Sequence, residues 1–365
     1  PKVASKNLPA KMIDKLQVLD KKSDMAQMTG FDDGEEETVI NLTVKPGMKQ
    51  GWFGNAYGGY GSKDRYEGNA MVNRFVNNDQ ITFMGGANNT NNMGFSDLAS
   101  TMFSGMGGGG GRRGGFGAGS GITSSGNAGL NFSKEFKPDK LTLGGNTRYS
   151  HSDNDARSKS DRQNILPGDS SSYDNSEAMS RTKSDNFGVD FRLEWKPDTM
   201  TQLIFRPSFS LSHSMNDNFS DATTLDNERD TVNTNKSSNY SESNGHNLNA
   251  SIDFSRKLNN KGRVFSATLS GGNSDSYSDG MNRSDIVYFN QTDALKNSII
   301  DQRSRYDNKG FNYRAYVSWV EPIGHNNFIQ ATYSISQRKQ EALKNVYNQD
   351  ADGIYNVCLL YTSDA

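Results

Sequence analysis

The sequence predicts an all-β fold, and within that class a transmembrane antiparallel β-barrel. Three observations carry the prediction. Apolar residues alternate with polar ones in segment after segment, which is the period of a strand with one apolar face. The connections between these segments alternate between short and long, as in a barrel with tight turns on one side of a membrane and long loops on the other. The composition is 33% hydrophobic and 10% aromatic, with a net charge of −2. That is too polar for an ordinary aqueous core and too aromatic for a disordered chain.

The elements follow in order. Residues 1–46 read differently from the rest: Asn7-Leu8-Pro9-Ala10 opens a short helical turn through Met12 and Ile13, residues 15–20 alternate as a strand, and residues 38–44 form another. Residues 47–357 read as barrel. The early strands carry Trp52; then Tyr66, Ala70 and Val72; Ile81, Phe83 and Ala87; Ala128, Leu130 and Phe132; Leu141, Leu143 and Tyr149. The pattern is clearest at Phe187, Val189, Phe191, Leu193 and Trp195, with Gly188, Asp190, Arg192 and Glu194 between them. It recurs at Leu203, Phe205, Phe209 and Leu211, at Leu248, Ala250, Ile252 and Phe254, at Phe311, Tyr313, Ala315, Val317 and Trp319, and at Ile329, Ala331, Tyr333 and Ile335. Eleven strands are expected from Trp52 to Arg338. An odd, open set implies that more strands follow, because a barrel in lipid has to close and bacterial ones have even strand numbers.

Short connections are expected at 76–79, 136–140, 196–201, 257–263 and 321–327, where Asn, Pro, Asp and Gly favour tight turns. Long polar loops are expected at 88–125, 152–182, 214–239 and 276–303. Connections of that length are uncommon in compact soluble domains. Phe75, Trp195, Phe254, Phe265, Trp319 and Phe328 lie beside the short turns, as an interfacial aromatic girdle requires. The competing reading of these rings is the core of a β-sandwich.

No run of 18 apolar residues exists to cross a membrane as a helix, and the single cysteine, Cys358, excludes a disulfide framework. The chain opens at Pro1 without a basic-then-apolar leader, and residues 358–365, CLLYTSDA, resemble a translated sequencing adapter. Both ends give the expectation of an internal fragment.

Three stretches carry a family resemblance: KNLPAKMIDKLQVLDKKSD, then TGFDDGEEETVINLTVKPG, then GWFGNAYGGYG. In order and spacing they resemble the end of the plug domain and the first barrel strand of TonB-dependent outer-membrane receptors, and the likeness extends to about Val357. The resemblance implies a 22-stranded barrel of which this chain supplies about half, with residues 1–46 as the C-terminal part of the plug and 47–357 as the N-terminal portion of the barrel. It also implies residence in a Gram-negative outer membrane, with the plug facing the periplasm and the long loops extracellular. Its implied partners are outer-membrane lipid, a periplasmic energy-coupling protein, a possible surface lipoprotein, and a small-molecule or oligomeric ligand.

Nothing in the sequence points to an enzyme, a cofactor or a metal. His151, His213, His246 and His325 lack the spacing of a zinc motif, three of them sit in or near expected loops, and no G-x-S-x-G elbow precedes a helix. The run Gly107 to Gly111, followed by Arg112-Arg113-Gly114-Gly115-Phe116-Gly117, reads as a flexible outer loop, or as an RNA-binding tract that a chain of neutral balance does not support. No nucleic-acid partner is expected. Asp32-Asp33-Gly34-Glu35-Glu36-Glu37 reads as a solvated turn or a calcium cluster, and Asn348-Gln349-Asp350-Ala351-Asp352-Gly353 resembles the start of an EF-hand loop, but Leu359 stands where the bidentate Glu belongs.

The function expected from the resemblance is TonB-dependent import of an unidentified ligand. Selectivity would lie in the outer loops and in lumen-facing side chains such as Arg192, Glu194 and Arg314. The alternatives are a non-transporting outer-membrane barrel acting in adhesion or surface assembly, and a soluble glycan-binding β-protein.

Overall fold

In the computed structural model, residues 13–22, 36–45, 50–91, 121–165, 171–260, 262–289, 297–323, 327–350 and 352–361 are described. They form fourteen strands: β1(Ile13–Lys22), β2(Glu36–Val44), β3(Gln50–Tyr60), β4(Tyr66–Val76), β5(Asp79–Asn88), β6(Ile122–Lys137), β7(Leu141–Asn164), β8(Ser172–Asp198), β9(Thr201–Leu225), β10(Thr231–Lys257), β11(Val264–Tyr288), β12(Asn297–Pro322), β13(Phe328–Gln349) and β14(Tyr355–Tyr361). Among the described residues there is no helix.

Strands β1 and β2 form a separate antiparallel pair, with Leu16 opposite Leu42 and Val18 opposite Ile40. The expected strands at 15–20 and 38–44 are therefore present. Ile13, expected in a helical turn, begins β1 instead, and the remainder of that turn lies outside the described residues.

Strands β3 to β14 form one antiparallel sheet of 12 strands, each paired with its sequence neighbours. The order is a pure meander from β3 at one edge to β14 at the other, and the sheet is not closed. Strands β3 to β13 are the eleven expected from the alternation. The twelfth, β14, runs into the adapter-like segment and pairs Lys344 with Tyr361.

Tight turns follow local chemistry. Asn77 adopts φ 56° between Val76 and Asp79, the left-handed geometry that Asn tolerates in a two-residue hairpin. Asp226 Oδ1 accepts hydrogen bonds from the backbone N–H of Glu228 (2.9 Å) and Asp230 (2.8 Å). Asp350 repeats the arrangement with the N–H of Asp352 (3.0 Å) and Ile354 (2.8 Å). The EF-hand-like stretch is thus a hairpin tip whose first carboxylate organises the turn.

One expectation needs correction. Residues 152–182, 214–239 and 276–303 are for the most part strand, because β7 to β12 run 24 to 27 residues each. These outer segments alternate Ser or Asn with charged residues, so they have the period of a strand without an apolar face to reveal it. The fourth expected loop falls largely on residues outside the described ones, as does the Gly-rich run at 107–117.

Successive short turns step in one direction across the sheet. The β6–β7 turn closes at Lys137 and Leu141, and that row continues to Trp195 in β8, short of the β8–β9 turn at Asp198 and Thr201. A stagger of this kind is what tilted strands produce when a sheet wraps toward a barrel.

Candidate functional site

The register divides the large sheet into two chemically distinct faces. On the first, Tyr149, Phe187 and Leu211 lie side by side across β7, β8 and β9, and below them Leu193, Phe205, Ile252 and Leu269 line up across β8 to β11. The row farther along holds Phe265, Trp319 and Ala331. At the β3 edge the same face carries Trp52, Val72 and Ile81.

Most of these apolar side chains are exposed, Trp52 at 72%, while Leu193, Phe205 and Phe265 are half-buried; Tyr333 on the same face is 69% accessible. On the second face, Met84 and Thr82 are fully buried, and Asn146, Ser266 and Ser318 are 1% accessible. Of the buried non-glycine side chains among the described residues of the large sheet, all except Thr201 at a strand end lie on the second face. A single sheet buries one face in this way when it curves, because side chains crowd on the concave side. The convex side therefore bears the hydrocarbon and the concave side the polar groups, the reverse of a soluble barrel.

The apolar belt has defined edges. In β7 it runs from Leu141 to Tyr149, in β9 from Leu203 to Leu211 and in β12 from Phe311 to Trp319. Roughly nine residues at ~3.3 Å each span ~30 Å along a strand, or ~23 Å in height at a tilt of about 40°. That height matches the lipid-facing band of outer-membrane barrels, about 25 Å.

Its lower edge is aromatic. Phe254, Phe265 and Trp319 form a ring cluster with centroids 6.3 and 6.4 Å apart, and Trp319 Nε1 donates to Glu321 Oε2 at 3.1 Å beyond the edge. Trp195 lies on the same face. Phe75 and Phe328, expected in this girdle, lie on the other face by strand parity; Phe75 stacks on Phe53 there at 5.3 Å.

The concave face has a charged lower tier at the level of the belt. Asp190 accepts from Asn146 and, at 3.4 Å, from Arg148. Arg206 pairs with Asp253, which also accepts from Thr268 Oγ1 at 2.8 Å. Arg192 and Lys196 flank Glu194 at 3.4 and 2.8 Å. Arg192, Glu194 and Arg314 thus sit on the concave side. Among the described residues, Asn73 Nδ2, Asn146 Oδ1 and the hydroxyls of Ser255 and Ser266 are buried on this face without a protein hydrogen-bond partner. Buried polar atoms of that kind suit a hydrated or polar-filled interior better than an apolar one.

His151, His213 and His246 lie in strands, not in loops. His151, Asp185, His213 and Asn244 form one row across β7 to β10 on the convex face, immediately above Tyr149, Phe187 and Leu211. His151 Nδ1 lies 2.8 Å from Asp185 Oδ1, Tyr149 Oη donates to the same oxygen at 2.6 Å, and His213 Nδ1 lies 2.8 Å from Asn244 Oδ1. A groove of about 510 Å³ runs along this boundary, lined by Phe187, Leu211, His246 and Asp275 among others. The convergence was hidden in the sequence because it comes from register and not from spacing. His325 and residues 32–35 lie outside the described residues. Among the described residues, no group of three or more His, Cys, Asp or Glu is placed to hold a metal.

No family model matches the chain, and no curated protein matches it.

Proposed function

We propose that this chain is part of an outer-membrane receptor that imports its ligand through a plugged β-barrel, driven by an energy-coupling protein in the periplasm. The observation that supports the reading best is the concentration of exposed apolar side chains in one staggered belt on the convex face, ~23 Å tall, above which the same face becomes mostly polar and charged, with Met179, Phe219 and Met281 set among the charges. In this reading the convex face meets lipid and the concave face lines the lumen. The β1–β2 pair is the end of the plug, and the short turns lie in the periplasm. The β3 and β14 edges are completed by further strands, since an open edge leaves backbone groups unpaired in hydrocarbon.

A second reading, a barrel that imports nothing and acts in adhesion or surface assembly, draws its support from the outer wall. Strands of 24 to 27 residues reach well past the belt and present a large surface to the medium. Two measurements separate the readings. Cell fractionation is expected to place the protein in the outer membrane, and recovery as a water-soluble monomer would overturn both. A purified periplasmic coupling domain is expected to bind the detergent-folded receptor of which this chain is part, with its whole plug, and a folded barrel with a whole plug that binds none returns the adhesion reading.

A further inference from the structure

We infer that the concave face of the outer wall is a recognition surface for an uncharged, hydroxyl-rich oligomer of the chemical class of a neutral oligosaccharide. The inference rests on the barrel reading, which makes this face the mouth of the lumen.

The evidence is a difference between two faces of the same strands. Above the belt, the concave face carries one serine from each of five consecutive strands in a single row: Ser152, Ser184, Ser214, Ser243 and Ser278. The next row up is Asn154, Thr182, Asn216, Ser241 and Gly280, and the one after it is Ala156, Ser180, Asn218, Asn239 and Asn282. None of these carries a charge. The intervening positions point to the convex face and read Asp153, Lys183, Met215, Glu242 and Asp279 in one row, Asp155, Arg181, Asp217, Tyr240 and Met281 in the next. The ion pairs of this region lie on that outer side, among them Asp153 with Arg181 at 2.7 Å, Lys159 with Glu177 at 3.0 Å and Arg303 with Asp279 at 2.5 Å. The segment has charges in plenty and places them outside.

A wall built this way discriminates by charge. Each hydroxyl offers one donor and two acceptor positions, and each carboxamide two donors and an acceptor oxygen. Contacts within the wall, such as Ser152 with Ser184 at 2.9 Å and Thr182 to Asn216 at 3.0 Å, therefore leave capacity for a ligand. A ligand rich in hydroxyls exchanges its water contacts for these groups, whereas an anionic or cationic ligand loses hydration and meets no opposite charge in these rows of β7 to β11. On β12 the serine row meets Tyr306, which is 37% accessible and can lie against the apolar face of a sugar ring, and on β13 Lys344 marks the charged border of the neutral wall. The wall extends over roughly twelve residues of strand, ~40 Å, so it suits an oligomer and not a single small molecule.

The test uses the full chain inserted in lipid vesicles and isothermal titration with hexamers of maltose-, cellulose-, xylan- and inulin-type sugars, alongside hexagalacturonate as the anionic probe and chitosan hexamer as the cationic one. At least one neutral hexamer is expected to bind saturably, at least tenfold tighter than both charged hexamers. The Ser214→Ala/Ser243→Ala variant and the Tyr306→Ala variant should each weaken it about tenfold, while Glu242→Gln on the convex face stays within twofold. Equal binding of the charged hexamers, no binding by any neutral hexamer, or equal sensitivity to Glu242→Gln would overturn the inference. Tryptophan quenching on the same sample separates this from the barrel reading: tryptophans in lipid with no neutral binding remove only the ligand class, and tryptophans in water remove both.

Discussion

Leu211 and His213 stand two positions apart on the convex face of β9, and between them the surface changes from hydrocarbon to a mixed one in which charged side chains alternate with Met215 and Phe219. Below Leu211 the face continues through Phe209, Phe205 and Leu203; above His213 it continues through Met215, Asp217, Phe219 and Asp221. The concave face of the same strand runs Ser208, Ser210, Ser212, Ser214 with no such change. A boundary on one face only is what a membrane surface imposes on a barrel wall, because the lumen is wet on both sides of it.

The belt is expected to reject charge by depth. Ile252→Arg places a guanidinium in the middle of the β10 belt and should destabilise insertion by about 2–4 kcal/mol, whereas Thr234→Arg, on the same face above the belt, should stay within about 0.5 kcal/mol. Denaturant titration in lipid vesicles measures both, and equal costs would count against the belt.

Gly145 is expected to be intolerant of a side chain. A methyl group there would sit 2.5 Å from the Phe191 ring and 3.0 Å from Phe132, whose rings close over the glycine with centroids 6.3 Å apart. Gly145→Ala should cost about 1–3 kcal/mol through overpacking. The midpoint of the same titration reports it; an unshifted midpoint would mean that the rings move aside freely.

Acid should loosen the outer wall and spare the belt. The Arg303 guanidinium holds the Asp279 carboxyl below its ordinary range, and Arg181 does the same for Asp153. A carboxylate with a lowered folded pKa binds fewer protons folded than unfolded. The stability it supplies is present above the ordinary carboxylate pKa of about 4 and is lost as pH falls through the lowered value. Amide exchange, corrected for intrinsic rates, should therefore show protection in the outer parts of β11 and β12 falling from about pH 6 to about pH 3. Protection that does not change with pH would contradict the pairing.

The belt was legible in the sequence because hydrophobicity itself alternates there, as in Phe187 to Trp195, and parity alone assigns the faces. The outer wall was not. Segments such as Asn216-Asp217-Asn218 and Ser241-Glu242-Ser243 alternate between uncharged and charged polar residues, and a hydropathy pattern treats both as loop. Pairing then determines the structure: once the belt fixes the register of β9 against β10, each further residue of one strand finds its partner on the other, and the strands continue past the apolar belt. Phe75 departs from the expected girdle for a related reason. Proximity to a turn says nothing about parity, and Phe75 is one residue out of phase with Val72 and Arg74, which lie on the convex face. The meeting of His151 with Asp185 is a property of register across residues far apart in the chain, which no local motif contains.

The three tryptophans of the sequence, Trp52, Trp195 and Trp319, all lie on the convex face, so intrinsic fluorescence reads the central claim without labelling. With the chain inserted in vesicles, lipids brominated along their acyl chains should quench the emission strongly and aqueous acrylamide only weakly. Emission that acrylamide quenches fully and brominated lipid leaves unchanged would put the convex face in water and contradict the barrel.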